Sequence, residues 1–151
     1  MKVGVLSDTH AASFAEIPEK IVSILSEVDM IIHAGDFTAK DVLDRLKQLG
    51  KVIAVQGNMD SYELKRLLPE KELITVGGKK IGITHGWGGP DGIESKIGTM
   101  FNDVDIIVYG HSHQPKNEII GSTLFFNPGR ARNTIGILTI ADEVDGEIIT
   151  M

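Results

Sequence analysis

Five short clusters of metal-capable side chains are spread along this 151-residue sequence. Asp8 and His10 stand in Ser7-Asp8-Thr9-His10, Asp36 in His33-Ala34-Gly35-Asp36-Phe37, and Asn58 in Gly57-Asn58-Met59-Asp60. His85 stands in Thr84-His85-Gly86-Trp87-Gly88, and His111 with His113 in Gly110-His111-Ser112-His113. Carboxylate, amide and imidazole donors without sulfur suit the borderline divalent cations manganese, iron, zinc, cobalt and nickel. Seven donors exceed the needs of one tetrahedral zinc and fit two ions sharing a bridging carboxylate. Two ions about 3.5–4 Å apart can clamp a phosphoryl group and draw the pKa of a bound water from about 15.7 towards about 7.

Each cluster by itself has a plain structural explanation. A histidine at a strand end is more often a surface or capping residue than a ligand, and an aspartate after a strand commonly caps a helix. Together they resist that explanation, because four of the five histidines sit at strand termini. The exception is His33, which precedes the Ala34-Gly35-Asp36 turn and is expected to be structural, hydrogen-bonded near the site.

Such donors need a frame that aims them at one point, and the apolar pattern supplies it. Each cluster follows an apolar run, with a glycine nearby in every case but the first. Val3–Leu6, Met30–Ile32 and Val52–Val55 read as strands. Glu16–Val28 reads as a helix through Ile17, Ile21, Ile24, Leu25 and Val28. Thr38 with Asp41 resembles a capping box before a helix carrying Val42, Leu43, Leu46 and Leu49. Asp60 with Glu63 opens a short helix ending near Pro69. This alternation predicts parallel strands with helical crossovers.

Beyond it the pattern becomes strand-rich. Glu72–Val76 and Lys80–Thr84 flank the hairpin signal Gly77-Gly78. Asp91–Phe101 reads as a helix with Ile93, Ile97, Met100 and Phe101 on its apolar face. Asp105–Tyr109, Glu118–Ile120, Thr123–Phe126, Thr134–Ala141 and Glu147–Thr150 read as strands, mostly hairpin-connected, with turns at Gly121-Ser122 and Asp145-Gly146. The expected fold is α/β: two packed sheets with helices outside, forming one domain over residues 1–151, with the donors at the carboxyl ends of the strands.

Composition narrows the function. No apolar run approaches the ~20 residues of a membrane helix, no signal-peptide pattern opens the chain, and there is no cysteine. A cytoplasmic protein without a membrane partner is expected. A net charge of −6 argues against a nucleic-acid partner, which needs a basic face. It leaves a phosphate substrate open, since bound cations reverse the local charge. Apolar strands in the second half would permit a homodimer or higher homo-oligomer.

The motifs Asp8-x-His10, Gly35-Asp36, Gly57-Asn58, His85-Gly86 and Gly110-His111-x-His113 resemble, in this order, those of the calcineurin-like metallophosphoesterase superfamily. The small size and the Asn127-Pro128-Gly129-Arg130 segment are most similar to its compact single-domain, YfcE-like phosphodiesterase branch. The resemblance implies a β-sandwich flanked by helices. It implies one metal held by Asp8, His10, Asp36 and His113, a second held by Asp36, Asn58, His85 and His111, and Asp36 bridging. It further implies attack on a small phosphodiester by a metal-bridging hydroxide, with Asp36, Asn58 and His85 at the reacting centre. Manganese is the first expectation for both ions, with nickel, iron, zinc and cobalt also suited.

Two departures from that pattern matter. Many relatives carry a histidine after Gly-Asn, whereas this chain has Met59, whose thioether cannot donate a proton. Asp60 is read either as a minor participant through a water or, more simply, as the N-cap of the following helix. Relatives often have serine after the glycine of the Asn-Pro-Gly segment; here Arg130 and then Arg132 follow, and arginine is well shaped for phosphate oxygens. Both are candidate substrate contacts. Trp87 either lines the pocket or packs in the core. Phosphomonoesterase or nuclease activity would use the same metal core. A different class is the interaction scaffold, exemplified by a retromer coat subunit of this fold.

Overall fold

The computed structural model describes all residues, Met1–Met151. The chain runs β1 (Lys2–Leu6), a 3-10 turn (Phe14–Glu16), α1 (Glu19–Leu25), β2 (Met30–His33), α2 (Lys40–Leu49), β3 (Val52–Ala54) and α3 (Tyr62–Leu67). It continues through β4 (Lys71–Val76), β5 (Lys79–Thr84), α4 (Ile93–Gly98), β6 (Ile106–Val108), β7 (Lys116–Ile120), β8 (Thr123–Asn127), β9 (Thr134–Ile140) and β10 (Val144–Thr150).

Two five-stranded sheets result, in the orders β10-β9-β1-β2-β3 and β4-β5-β6-β8-β7. β1, β2 and β3 are parallel neighbours, as the alternating pattern predicts, and β9 and β10 extend that sheet antiparallel. In the second sheet β5, β6 and β8 are parallel, with antiparallel β4 and β7 at the edges. The second half is therefore less hairpin-connected than expected, because β6 and β8 are parallel and the chain changes sheet between β8 and β9.

Strand alternation divides the core into three. Val3, Val5, Ile32, Ile81, Ile83, Val108, Phe126 and Leu138 fill the space between the sheets. Leu6 and Ile31 face the other way, against Ile21 and Leu25 of α1 and Val42, Leu43 and Leu46 of α2. On the far side, Ile107, Tyr109 and Phe125 meet Ile93 and Ile97 of α4. Strands covered on both faces read as unbroken apolar runs rather than alternating ones. No helix is long and apolar enough to cross a membrane.

Several element ends differ from expectation. α1 starts only after Pro18, because Ile17 before it is held extended (φ −78°, ψ 130°), as the proline ring requires. The Thr38–Asp41 capping box does not form. Ala39 is the N-cap of α2, Thr38 Oγ1 donates to Ala11 O at 2.9 Å, and Asp41 accepts from Phe14 N at 2.8 Å. Ser61, not Asp60, caps α3, accepting from Leu64 N at 3.3 Å. α4 is shorter than the expected Asp91–Phe101, though Met100 and Phe101 still pack on its cluster. Asp145-Gly146 is not a turn but lies within β10, Gly146 opposite Leu138. A Cβ on Gly146 would stand 2.7 Å from Asn117 Oδ1 and 3.0 Å from the Phe126 ring, so this glycine serves close approach.

Candidate metal centre

The seven donors follow the carboxyl ends of β1, β2, β3, β5 and β6, so both sheets contribute. Five of them, Asp8, His10, Asp36, His111 and His113, have left-handed backbone, with φ between 46° and 69°. Aspartate and histidine tolerate this region better than most residues, and it turns each side chain back over the strand ends. Gly57 allows the loops to nest. A Cβ there would overlap the Asp36 backbone nitrogen and Oδ1 and stand 2.8 Å from its Cγ.

The donor atoms converge. Asp36 Oδ2 lies 3.2 Å from His85 Nε2 and 3.5 Å from His10 Nε2, reachable from both halves of the cluster. His10 Nε2 is 3.2 Å from His113 Nε2, and His85 Nε2 is 3.1 Å from Asn58 Oδ1 and 3.3 Å from His111 Nδ1. Asp8 Oδ1 is 3.3 Å from His113 Nε2 and 3.8 Å from both His10 Nε2 and His85 Nε2. Asp8, His10 and His113 form one metal-sized group and Asp8, Asp36 and His85 another. Donors bound at about 2.0–2.2 Å to one ion stand about 2.8–3.6 Å apart in octahedral or tetrahedral arrangement, and most of these spacings match. Asp8 Oδ1 is buried and has no hydrogen-bond partner, an arrangement that calls for a cation. The residues present thus fit a pair of divalent ions.

Hydrogen bonds fix which imidazole nitrogens face inward. His85 Nδ1 donates to Ala34 O at 2.7 Å and leaves Nε2 for the centre, while His111 Nε2 donates to Gly88 O at 2.9 Å and leaves Nδ1. Such outer bonds set the tautomer and orient the ligand. His33 is wholly buried, accepts from Gly35 N at 3.1 Å, bonds Thr9 Oγ1 at 2.6 Å and stacks on Phe37. It supports the Gly35-Asp36 turn, as expected.

Sequence reasoning missed three supports. Asp60 accepts from three backbone N–H groups: Gly57 at 2.7 Å, Thr38 at 2.8 Å and Asp36 at 3.1 Å. It ties the Asp36 loop to the Asn58 loop; its only sequence signal is an aspartate three residues beyond Gly57. Asn127 donates to Gly110 O at 3.3 Å and Ser112 Oγ at 3.0 Å and accepts from Gly129 N at 2.9 Å, bracing the His111–His113 loop. Ser7 Oγ donates to Asp8 Oδ2 at 2.9 Å and His111 N to the same oxygen at 3.0 Å, so Oδ1 is the oxygen left without a partner.

The two arginines separate. Arg132 Nε donates to Thr9 O at 3.3 Å, and its Nη2 to His10 O at 2.9 Å and Glu16 Oε1 at 2.7 Å. Those bonds hold Arg132 Nε and Nη2 against the Thr9-His10 backbone and Glu16, which gives this arginine a loop-holding part. Arg130 Nε has no protein partner, and its charge is felt at His10. Trp87 is half-exposed rather than in the core.

Charges within the cluster oppose one another. Burial holds the His10 imidazole below its ordinary pKa despite Asp36 and Asp8. Burial also acts on His85, but the hydrogen bond and charge of Asp36, with Asp8, carry it upward. Burial works to raise Asp36 as well; the bond and charge from His85 and the Met59 N–H bring it below the usual carboxylate range. Burial lowers His33 to about 3, and raises Asp60 against the pull of its three N–H donors.

Residues 1–141 match the calcineurin-like phosphoesterase superfamily domain. A probable metallophosphoesterase of Methanocaldococcus jannaschii is 36% identical, over 99% of this chain and 81% of that one. A phosphodiesterase of the same organism is 29% identical, over 99% of both chains. The crystal structure of wild-type Vps29 from Entamoeba histolytica complexed with zinc superposes with a TM-score of 0.77 at 26% identity, covering 99% of each chain.

Proposed function

The chain belongs to the calcineurin-like phosphoesterase superfamily, and from that footing we propose that it is a divalent-metal-dependent phosphodiesterase acting on small phosphodiesters. The observation that carries this reading is the buried, unpartnered Asp8 Oδ1 within a ring of inward-facing imidazole and carboxylate atoms. The likeness to a phosphodiesterase over the full chain length supports it.

Asp8, His10, Asp36 and His113 would hold one ion, and Asp36, Asn58, His85 and His111 the other. When bound, the ions withdraw charge from the phosphoryl oxygens and acidify a water. Nitrogen and oxygen donors suit manganese, our first assignment, and zinc, iron, cobalt or nickel; the zinc complex of Vps29 keeps zinc in view. The protein's own part is positional. His85 Nδ1–H on Ala34 O and His111 Nε2–H on Gly88 O keep two imidazoles aimed before substrate arrives. Arg130 supplies a fixed positive charge for a non-bridging phosphate oxygen. Met59 provides no proton for the departing alcohol, so the rate depends steeply on leaving-group acidity.

The test is hydrolysis of bis(4-nitrophenyl) phosphate by metal-stripped protein on returning Mn²⁺, Zn²⁺, Fe²⁺, Co²⁺ or Ni²⁺. Asp36→Asn and His85→Ala serve as controls. Activity restored in the parent and lost in both variants supports the reading. Inertness with every metal would favour the interaction scaffold, the reading to which the likeness to Vps29 lends weight. Preference for a monoester or a polynucleotide over the diester would transfer the same centre to phosphomonoesterase or nuclease work.

A further inference from the structure

Beside the metal centre lies a cleft of about 370 Å³ whose walls include Asn58, His85, Gly86, Trp87, Lys65 and Met100. This is within the range of small-molecule sites. Two of its walls are the metal-centre candidates Asn58 and His85, so a phosphoester there has an alcohol group entering this space.

Trp87 is the chain's one tryptophan, two residues after His85, and 48% exposed. Gly86 between them has φ 94°, a left-handed turn that carries the indole to the cleft rather than into the sheet. The loop is fixed in place: Lys96 Nζ donates to Trp87 O at 3.0 Å and stands 5.9 Å from the indole centroid. Across the opening, Lys65 Nζ donates to Asn58 O at 3.0 Å, leaving ammonium hydrogens for an anion. A large aromatic surface kept in water on a pinned loop, next to a reacting centre, is the arrangement that takes up a planar ring by stacking.

We propose that this cleft seats a planar aromatic group on one alcohol of the phosphodiester, stacked on Trp87, with Lys65 facing anionic oxygens. This deepens the proposed function and rests on it for the word substrate. Two sources of such a ring, a nucleoside and a simple aryl alcohol, share that chemistry.

The solitary indole reports occupancy directly. The 151-residue protein supplied with Zn²⁺ is titrated with adenosine 5′-monophosphate, phenyl phosphate and ribose 5-phosphate while Trp87 emission is followed. Saturable change with either aromatic phosphate, and none with ribose 5-phosphate, is expected; the tighter of the two identifies the source of the ring. Calorimetry on Trp87→Leu should show the aromatic ligand weakened about 5- to 150-fold, while Trp87→Phe keeps most of its affinity and ribose 5-phosphate binds all forms equally. The proposal is overturned if emission does not respond to either aromatic phosphate, if ribose 5-phosphate acts as strongly, or if Trp87→Leu binds all ligands as the parent does. An active phosphodiesterase with a silent indole would sink the cleft alone. A responsive indole on a protein inert with every metal would sink the catalytic reading alone.

Discussion

Asp60→Asn tests whether the metal centre depends on a tie between two loops. The side-chain size is kept and the charge removed. Asp60 Oδ2 receives the N–H groups of Gly57 and Asp36, and Oδ1 that of Thr38. An amide offers one acceptor oxygen, so in either orientation its NH₂ confronts at least one backbone donor. Leaving a buried donor without its acceptor costs about 1–3 kcal/mol. A loss of roughly 1–3 kcal/mol is below the ~5–15 kcal/mol stability of a typical domain, so the variant folds but is weakened. Ser61→Ala removes the real cap of α3 and should cost only about 0.5–2 kcal/mol. Urea unfolding of metal-free protein by circular dichroism measures both; Mn²⁺ titration calorimetry shows whether the donors still converge. We expect Asp60→Asn to lose stability and Mn²⁺ affinity together, and Ser61→Ala to lose a little stability alone. An Asp60→Asn protein that unfolds within 1 kcal/mol of the parent and binds Mn²⁺ equally well refutes the reasoning.

Three further outcomes are expected. His33 has its pKa lowered to about 3, so between that and about 6.5 the unfolded chain alone takes up the proton. Its contribution is whole above about pH 6.5 and lost on acidification at roughly 1.4 kcal/mol per pH unit; urea midpoints from pH 4.5 to 7.5 should flatten in His33→Gln, and an unchanged slope would count against this. Arg132→Ala should lower the thermal midpoint and weaken Mn²⁺ binding by loosening the Thr9–His10 backbone, whereas Arg130→Ala should raise KM with little change in midpoint; equal effects would undo the division of labour. Gly57→Ala should abolish Mn²⁺ binding in calorimetry while circular dichroism stays native, since its Cβ would displace Asp36; Gly50→Ala, with nothing within 4 Å of the added carbon, is the matched control.

The parallel β1-β2-β3 unit was legible because runs such as Val3–Leu6 are buried on both faces and stay apolar throughout. The candidate donors stood out because their types are chemically distinctive and each follows such a run. What escaped was decided by distance in space. Thr38 and Asp41 have the spacing of a capping box, yet the neighbouring Ala11 and Phe14 backbone claims both side chains. Asp60 looked like a cap because aspartate before a helix usually is one; three N–H groups from two loops outbid the helix for it. Arg132 looked free because Glu16, its partner, lies 116 residues away. Gly146 looked like a turn because the strand crossing above it is invisible in one dimension. Local pattern reports what a residue can do, and the packed neighbours choose among the options.

The left-handed backbone at Asp8, His10, Asp36, His111 and His113 bears on transplantation. A non-glycine residue in that region gives up about 1–2 kcal/mol relative to its relaxed form, somewhat less for aspartate and histidine. Cut out as a peptide, Gly110–His113 would relax to extended conformers and fan its imidazoles apart. Copying the seven side chains onto another scaffold therefore carries over their chemistry but not their convergence. A graft must bring the contorted loops and the strand ends that keep them bent.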